Sequence, residues 1–207
     1  MNVIDVGLDL DGCIQWFDRG YHAGCVAAGL LPASVVWQPP ASWSFYEQYG
    51  HDAATFVANC HRLADLGLLW SGPLIAGARS MWHDLRAAGH RIHVKTDRGF
   101  GSHPAVSEAL TRATLAAHGL RYDSITFTAD KTAGPHVDVM LEDKLENYDA
   151  LDAFGVQVYL INRAWNGPYP DGRRRVLTHD QFTAAVQALA DGTTARPAVA
   201  SGRKASS

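Results

Sequence analysis

Two aspartates, Asp9 and Asp11, follow an apolar run at residues 3–8 and stand directly before Gly12. In an extended strand, residues two apart point to the same side, so the two carboxylates would face one spot. Such a pair must be bound by a cation or differ in pKa. Either arrangement suits phosphate chemistry, in which one carboxylate attacks phosphorus or holds a metal ion and the other moves protons. Taken alone, the motif is as typical of a strand that ends in solvated acids.

Further polar residues follow other predicted strands, in an order that would complete a phosphoryl-transfer site. Thr96 ends a strand predicted at residues 91–96, Lys131 follows the next strand, and Glu142-Asp143 ends a later apolar run. Phosphoryl transfer needs a nucleophile, a proton donor, a cation and hydroxyl donors for the phosphate oxygens. Together with the two aspartates, these residues offer each of those groups.

The elements that must position these residues alternate between strand and helix. Strands are predicted at residues 3–8, 91–96, 124–128, 137–141 and 156–161, and helices at residues 74–88, 104–118, 145–154 and 180–190. This alternation predicts an α/β fold, a Rossmann-like parallel sheet with helices on both faces. In such sheets ligands bind beyond the carboxyl ends of the strands, where Asp9, Thr96 and Asp143 fall.

Residues 13–72 break this alternation. They contain four of the six tryptophans, and two stretches with helical spacing, residues 21–31 and 53–69, are separated by Pro32, Pro39 and Pro40. We therefore expect a core domain of residues 1–12 and 73–192, with a small helical cap, residues 13–72, inserted after the first strand. Residues 193–207 are rich in Ala and Ser, which predicts a disordered tail.

Composition excludes several classes of protein. With 207 residues, 47% of them hydrophobic, the chain can bury a core, and its net charge of −3 offers no general attraction to a nucleic-acid polymer or an acidic membrane. The run Arg173 to Arg175 is short and indicates a solvated turn. Cys13, Cys25 and Cys60 match no metal-binding spacing and indicate reduced, buried thiols. No apolar run is long enough to span a membrane, so we expect a cytoplasmic protein.

Four motifs carry a family resemblance. They are Asp9 to Gly12, Tyr46-Glu47-Gln48-Tyr49-Gly50, Thr128-Ala129-Asp130-Lys131-Thr132 and Val139-Met140-Leu141-Glu142-Asp143. Their order resembles that of haloacid dehalogenase superfamily phosphatases, and most closely the 5'(3')-deoxyribonucleotidases, over roughly residues 3–166. The resemblance implies a Mg²⁺-dependent phosphomonoesterase that hydrolyses nucleoside monophosphates, in particular deoxyribonucleotides, through an aspartyl phosphate.

The resemblance also implies roles for the acids. Asp9 would be the nucleophile, and Asp11 the general acid and then the general base. Mg²⁺ would be held by the Asp9 carboxylate, the Asp11 backbone carbonyl and Asp143. Glu142 stands where the family usually has Asp, so it would reach the metal through water or pair with Lys131.

The resemblance assigns the phosphate to two further residues. Thr96 would donate its hydroxyl to a phosphate oxygen, and Lys131 would neutralise the charge of the phosphate and the nucleophile. Asp97 departs from the family pattern, in which this position carries a small or hydroxyl residue. Because a third acid would repel phosphate, we expect Arg98 to compensate by pairing with Asp97 or by reaching the substrate.

The insertion resembles the cap that covers the active site in this superfamily and reads the leaving group. The candidates for its substrate pocket are Trp16, Phe17, Trp43, Phe45, Tyr46 and Arg98. Aromatic side chains in such a segment suit the interior of the cap equally well.

Other functions stay open at this stage. The same motifs suit a phosphatase for another small phosphorylated metabolite, because only the cap selects the leaving group. Asp97 and Glu142 also suit a phosphate-binding or interaction protein that has lost turnover. An exposed face of the cap leaves room for a homodimer.

Overall fold

The fold is built on a six-stranded parallel sheet. The computed structural model of the chain describes residues 2–167 and 170–193. Its strands are β1 (Asp5–Leu8), β2 (Arg91–Thr96), β3 (Ser124–Phe127), β4 (Val139–Glu142), β5 (Gln157–Ile161) and β6 (Arg175–Val176). They lie in the order β3-β2-β1-β4-β5-β6, and every neighbouring pair is parallel. The predicted α/β parallel sheet is confirmed. The predicted tail lies outside the described residues from residue 194 onwards.

Six α-helices accompany the strands in the described ranges. They are α1 (Phe17–Ala27), α2 (Ala53–Asp65), α3 (Ala78–Ala87), α4 (Pro104–Ala117), α5 (Leu145–Ala153) and α6 (His179–Ala190), with short 3-10 helices at Phe45–Tyr49 and Ala164–Asn166. Pro104 occupies the first turn of α4 as predicted, where its missing N–H costs nothing. The first helix begins four residues before its predicted start, because Asp18, Arg19 and Gly20 interrupt the apolar periodicity of its first turn.

Helices cover both faces of the sheet. Side chains of successive strand residues point to opposite faces, so Val139 and Leu141 join one buried apolar cluster and Met140 joins another. The first cluster contains buried residues of α3 and α6, and the second contains Leu151 of α5. Because both faces are buried, the two central strands β1 and β4 are apolar in their interiors, and their polar residues Asp5 and Glu142 stand at their ends.

Residues 13–72 build a third apolar cluster, which joins α1 to α2 through Tyr21, Cys25, Cys60 and Leu63. All three cysteines are buried and free, as the composition indicated. The segment leaves and rejoins the sheet through two paired stretches of chain. In this pairing the backbone N–H of Trp16 donates to the carbonyl of Pro73 at 3.0 Å, and that of Ile75 to Ile14 at 2.8 Å. Among the described helices, none combines the length and the apolar character that crossing a bilayer requires.

The solvated turn predicted at Arg173 to Arg175 is wrong. Arg175 forms β6, its side chain is only 2% exposed, and its guanidinium donates to Asp171 at 2.7 Å. Arg173 pairs with Asp149 and Asp171, at 2.7 and 2.9 Å. The sequence did not predict β6, because a strand of Arg175 and Val176 has no apolar pattern. It did not predict the ion pairs either, because Asp149 is distant in sequence and Asp171 lies in a turn.

The strand order determines where the site forms. The chain builds β1, β2 and β3 towards one edge and then crosses to the other side of β1, where it builds β4. A parallel sheet leaves a crevice at such a reversal, outside the carboxyl ends of the strands on either side of it. The residues that follow β1 and β4 are Asp9 and Asp143.

Candidate active site

The centre of the site is an ion pair between Asp9 and Lys131. Asp9 follows β1 and is 6% exposed, and Lys131 is 4% exposed. The Lys131 ammonium donates to Asp9 Oδ1 at 2.7 Å and to the carbonyl of Lys95 at 2.9 Å. The sequence offered Glu142 as a partner for Lys131, but the ion pair is made with Asp9. A buried carboxylate with one oxygen bound to a cation is placed to act on an anionic substrate.

A second lysine, Lys95 in β2, fixes the position of Lys131. Its ammonium donates to the carbonyl of Lys131 at 3.0 Å, so each lysine binds the backbone of the other. Lys95 is 1% exposed, and burial lowers the pKa of its ammonium. Sequence reasoning missed Lys95, because a lysine inside a strand of mixed residues gives no signal that it is buried.

Glu142 and Asp143 lie at the end of β4, and both are buried. Glu142 Oε1 accepts hydrogen bonds from the backbone N–H groups of Asp143 and Lys144, at 3.1 and 3.2 Å. Its Oε2 atom is buried and has no hydrogen-bond partner in the described part of the chain. Asp143 Oδ2 accepts from the indole N–H of Trp165 at 2.9 Å. An oxygen that is buried without a partner indicates an incomplete polar environment.

The buried charges of the site do not balance. Burial, together with the nearby carboxylates of Glu142 and Asp11, raises the pKa of Asp9 to about 7, although Lys131 opposes the shift. Burial and the charges of Glu142 and Asp9 raise the pKa of Asp143 well above its ordinary value. Burial alone would lower the pKa of Lys131, but the carboxylates outweigh it and raise that pKa. Three buried acids therefore face the Lys131 ammonium and, beside Asp143, the Arg163 guanidinium, so negative charge is in excess and a bound cation would relieve the repulsion.

The acids fit a divalent metal ion. A carboxylate oxygen of Asp9, one of Asp143 and the sulfur of Cys13 all lie within 4.8 Å of one another. Hard oxygen ligands of this kind suit Mg²⁺, and the unpartnered Glu142 Oε2 fits the same need for a cation. Gly12 makes the arrangement sterically possible, because a Cβ added there would lie 2.0 Å from Asp143 Oδ2. The position of Cys13 in this group was not expected from the sequence.

Asp11 is paired with Arg98. The guanidinium donates from Nε to Asp11 Oδ2 at 2.9 Å and from Nη2 to Asp11 Oδ1 at 2.7 Å. Arg98 is 1% exposed and does not line the cavity described below. The expectation that Arg98 pairs with Asp97 or lines the substrate pocket is therefore wrong. The guanidinium of Arg98 points towards Asp11, with which it forms a bidentate ion pair.

Thr96, which ends β2, and Asp97, which follows it, are placed differently from each other. Thr96 is fully buried, its hydroxyl makes no hydrogen bond to any described residue, and it does not line the cavity. Asp97 is exposed and does line the cavity. A buried hydroxyl without a partner retains a hydrogen bond to donate.

A cavity of about 330 Å³ opens above these groups, lined by Asp9, Asp11, Lys131, Glu142 and Asp143. Its walls are largely aromatic. They include Phe17, Trp43, Phe45 and Tyr46, which were predicted, and Phe56, Trp70, Phe100 and Trp165, which were not. The latter four come from α2, from the end of the insertion, from the loop after β2 and from the 3-10 helix after β5, so only the fold brings them to the site.

Trp16 does not line the cavity, contrary to expectation. Its ring packs against the apolar cluster that contains the buried residues of α3 and α6, and the Arg163 guanidinium lies 5.3 Å from the ring centroid. Trp16 precedes α1 on the stretch that pairs with Pro73, which places its side chain towards the core. A single aromatic residue in the sequence carries no signal of this direction.

The aromatic walls differ in how firmly they are held. Tyr46 and Phe56 stack with centroids 4.4 Å apart, which fixes both rings. Trp43 is 56% exposed and makes an edge contact with Trp165, with the ring centroids 6.4 Å apart.

Asp18 also lines the cavity. Burial raises the pKa of its carboxyl group, and the carboxylate accepts a hydrogen bond from the indole N–H of Trp37 at 2.6 Å. No motif pointed to Asp18.

Comparisons with known proteins give structural neighbours only. No protein family and no curated protein sequence matches the chain. A predicted phosphatase from Clostridium acetobutylicum is 15% identical, with a TM-score of 0.55, over 90% of this chain and 99% of its own. CbbY from Rhodobacter sphaeroides in complex with phosphate is 19% identical, with a TM-score of 0.52, over 87% and 96%. The hydrolase YfnB from Bacillus subtilis bound to magnesium is 11% identical, with a TM-score of 0.58, over 90% and 99%. At such identities the likeness concerns the fold, and the chain shares its fold with hydrolases of the haloacid dehalogenase-like type.

Proposed function

We propose that the protein is a Mg²⁺-dependent phosphomonoesterase that hydrolyses nucleoside monophosphates, in particular deoxyribonucleotides. The observation that carries this proposal is the buried Asp9–Lys131 pair beside Asp143, at the base of a cavity with aromatic walls. The pair offers a nucleophile and a cation for phosphate, and the walls offer a surface for a flat leaving group.

In the first step an Asp9 carboxylate oxygen attacks phosphorus, and the bond from phosphorus to the ester oxygen breaks. Lys131 neutralises the charge that gathers on the phosphate. The Thr96 hydroxyl has no partner among the described residues but lies outside the cavity lining, so its contact with the phosphate stays a prediction. The product of this step is an aspartyl phosphate on Asp9 and a free alcohol, whose oxygen takes a proton from Asp11.

In the second step a water oxygen bonds to phosphorus, and the bond from phosphorus to Asp9 breaks. Asp11 accepts the proton that the water loses, which restores both aspartates and releases inorganic phosphate. Asp11 lines the cavity, so its carboxylate is accessible to either proton transfer.

Mg²⁺ would be held by Asp9, Asp143 and the backbone carbonyl of Asp11, with Glu142 beside it. When bound, it supplies positive charge to the phosphate oxygens. The structural neighbours with bound phosphate and with bound magnesium agree with this chemistry.

The leaving group is proposed from the cavity walls. A nucleobase offers two flat apolar faces, and aromatic side chains such as Phe17 and Trp43 bind such faces by stacking. We propose that residues 13–72 act as the cap that selects this group over a core of residues 1–12 and 73–192. The cytoplasmic location and the homodimer stay predictions.

The test is phosphate release from a panel of ribonucleotides, deoxyribonucleotides and sugar phosphates, with Mg²⁺ and with a chelator instead. We expect release that needs Mg²⁺ and is fastest with deoxyribonucleotides, and none from Asp9→Asn. Release from sugar phosphates alone would refute the nucleotide part and support a phosphatase for another metabolite. Full activity of Asp9→Asn, or no release from any substrate, would refute the enzymatic assignment.

A further inference from the structure

The ion pair between Asp11 and Arg98 has a geometry that the proposed mechanism does not use. Both Asp11 oxygens accept from the guanidinium, at 2.7 and 2.9 Å. The Asp11 side chain is 24% exposed and faces the cavity, whereas that of Arg98 is 1% exposed. The arginine is therefore the fixed member of the pair, and the aspartate is the one that meets substrate and water.

Arg98 is held in place by groups other than Asp11. Its Nη2 also donates to Gln15 Oε1 at 2.7 Å, and its guanidinium carbon lies 4.7 Å from the centroid of the Trp70 ring. Gln15 in turn donates to the carbonyl of Trp70 at 3.0 Å. On the far side, Arg98 Nη1 reaches the hydroxyl of Thr111 on α4 at 3.4 Å.

These contacts connect four parts of the chain: the loop after β1, the loop after β2, the helix α4, and the point where residues 13–72 rejoin the core. An arginine that is anchored on so many sides can present its fork to a carboxylate with little loss of side-chain entropy. Its position therefore sets the direction of the Asp11 oxygens.

The two proton transfers of Asp11 make opposite demands on this pair. Arginine only donates hydrogen bonds, so a contact that occupies both Asp11 oxygens is compatible with the charged carboxylate, which is the form that takes a proton from water. That arrangement suits the step in which Asp11 takes a proton from water. Donation to the leaving group requires Asp11 to turn away from Arg98.

We propose that Arg98 is a positioning residue, which aligns the Asp11 carboxylate for the attack of water on the aspartyl phosphate. This inference rests on the proposed phosphatase function. In the step concerned, the water oxygen bonds to phosphorus, its proton passes to Asp11, and the phosphorus bond to Asp9 breaks. Without Arg98, the phosphorylated enzyme should form and then persist.

The experiment follows both steps with p-nitrophenyl phosphate in the presence of Mg²⁺. Nitrophenolate leaves without a proton, so formation of the phosphoenzyme needs little help from Asp11. In Arg98→Met we expect an initial burst of about one nitrophenolate per enzyme, then a steady rate about 10-fold or more below that of the wild type. Mass spectrometry after acid quench should find the added phosphoryl group.

Three further variants distinguish the positioning of Asp11 from a general loss of folded structure. Arg98→Lys keeps the charge without the fork, so it should accumulate less phosphoenzyme than Arg98→Met. Asp11→Asn should accumulate it as Arg98→Met does. Arg91→Met removes an arginine that makes the same kind of two-pronged contact, with Asp5 at the opposite end of the sheet and outside the cavity, and it should behave like the wild type. Thermal unfolding of each variant verifies that it is folded.

The outcomes distinguish the two proposals. If the wild type turns over and folded Arg98→Met and Arg98→Lys both lose burst and steady rate in equal proportion, Arg98 does not act on the second step. The same conclusion follows if Arg91→Met accumulates phosphoenzyme to the same extent. If the wild type releases nothing from p-nitrophenyl phosphate or from the nucleotide panel, the phosphatase function fails, and the role of Arg98 fails with it.

Discussion

At the scale of single residues, the buried carboxylates of the site outnumber the cationic groups near them. Asp9, Glu142 and Asp143 are buried together, and the Lys131 ammonium contacts Asp9. Burial and the charge of Glu142 raise the pKa values of both Asp9 and Asp143. Such repulsion costs stability while the site holds no cation, and it is what makes a cation bind strongly.

Removal of one of these charges should therefore stabilise the protein. Asp143→Asn keeps an oxygen to accept from the Trp165 indole but removes the repulsion with Asp9 and Glu142. At pH 8 and without Mg²⁺, we expect its free energy of unfolding to rise by on the order of 1 kcal/mol. Mg²⁺ should raise the melting temperature of the wild type, because it binds only the folded state, and should have little effect on the variant.

Asp149→Asn is the matched control for this measurement. Asp149 is an exposed acid on α5, outside the cavity, and it pairs with Arg173. Loss of an exposed ion pair costs up to about 1 kcal/mol, so this variant should be slightly less stable than the wild type and should keep its response to Mg²⁺. An unchanged Mg²⁺ response in Asp143→Asn would show that the metal binds elsewhere.

At the scale of elements, the turn at Gly12 allows the loop after β1 to lie against the loop after β4. Gly12 has a φ of 76°, in the left-handed region, and a Cβ there would lie 2.0 Å from Asp143 Oδ2. Gly29 has a similar φ of 69°, but nothing lies within 4 Å of the position its Cβ would take. The two glycines share a backbone conformation and differ in their surroundings.

Alanine substitutions at Gly12 and Gly29 separate the stability cost of backbone strain from the cost of a steric clash. Gly12→Ala and Gly29→Ala should both lose about 1 kcal/mol of stability, the cost of a side chain in this backbone region. Gly12→Ala should lose a further ~1–3 kcal/mol from the clash, and it should abolish the stabilisation by Mg²⁺. Chemical denaturation with and without Mg²⁺ measures both effects. Equal losses in the two variants would mean that the turn moves without cost and that Gly12 is not required for the metal site.

The sequence predicted the elements and strand-end residues that depend on local pattern. The motifs predicted that Asp9, Asp143 and Lys131 lie near one another, because each follows a strand and parallel strands bring their ends together. Arg98 and Trp16 were misplaced, because the direction of a side chain in a loop depends on partners distant in sequence. Trp165 was missed for the same reason: it lies 22 residues from Asp143, whose carboxylate it binds.

At the scale of the whole molecule, polar groups are buried in the core as well as at the site. His90, between α3 and β2, is 2% exposed, and its Nδ1 accepts from the backbone N–H of Ile4 at 3.3 Å. Burial lowers the pKa of this histidine below its ordinary value of 6.5. The folded protein therefore holds His90 neutral at a pH at which the unfolded chain has begun to protonate it.

This difference predicts the sign of one contribution to acid stability. When the pH falls below about 6.5, the unfolded state binds a proton at His90 before the folded state does, so the stability present above that pH is lost progressively. His90→Asn keeps an acceptor for Ile4 but cannot titrate. The wild type should thus lose stability relative to the variant between pH 7.5 and 5.5, by at most about 1.4 kcal/mol for each pH unit.

Urea unfolding of both proteins at pH 7.5, 6.5 and 5.5 measures this difference. The raised pKa values of Asp9 and Asp143 give stability changes of the opposite sign as the pH falls, but they are common to both proteins and cancel when the two are compared. His83→Asn, which removes an exposed histidine on α3, is the matched control. A constant difference between wild type and His90→Asn across the three pH values would contradict the prediction, because it would mean that His90 binds its proton equally well in the folded and unfolded chains.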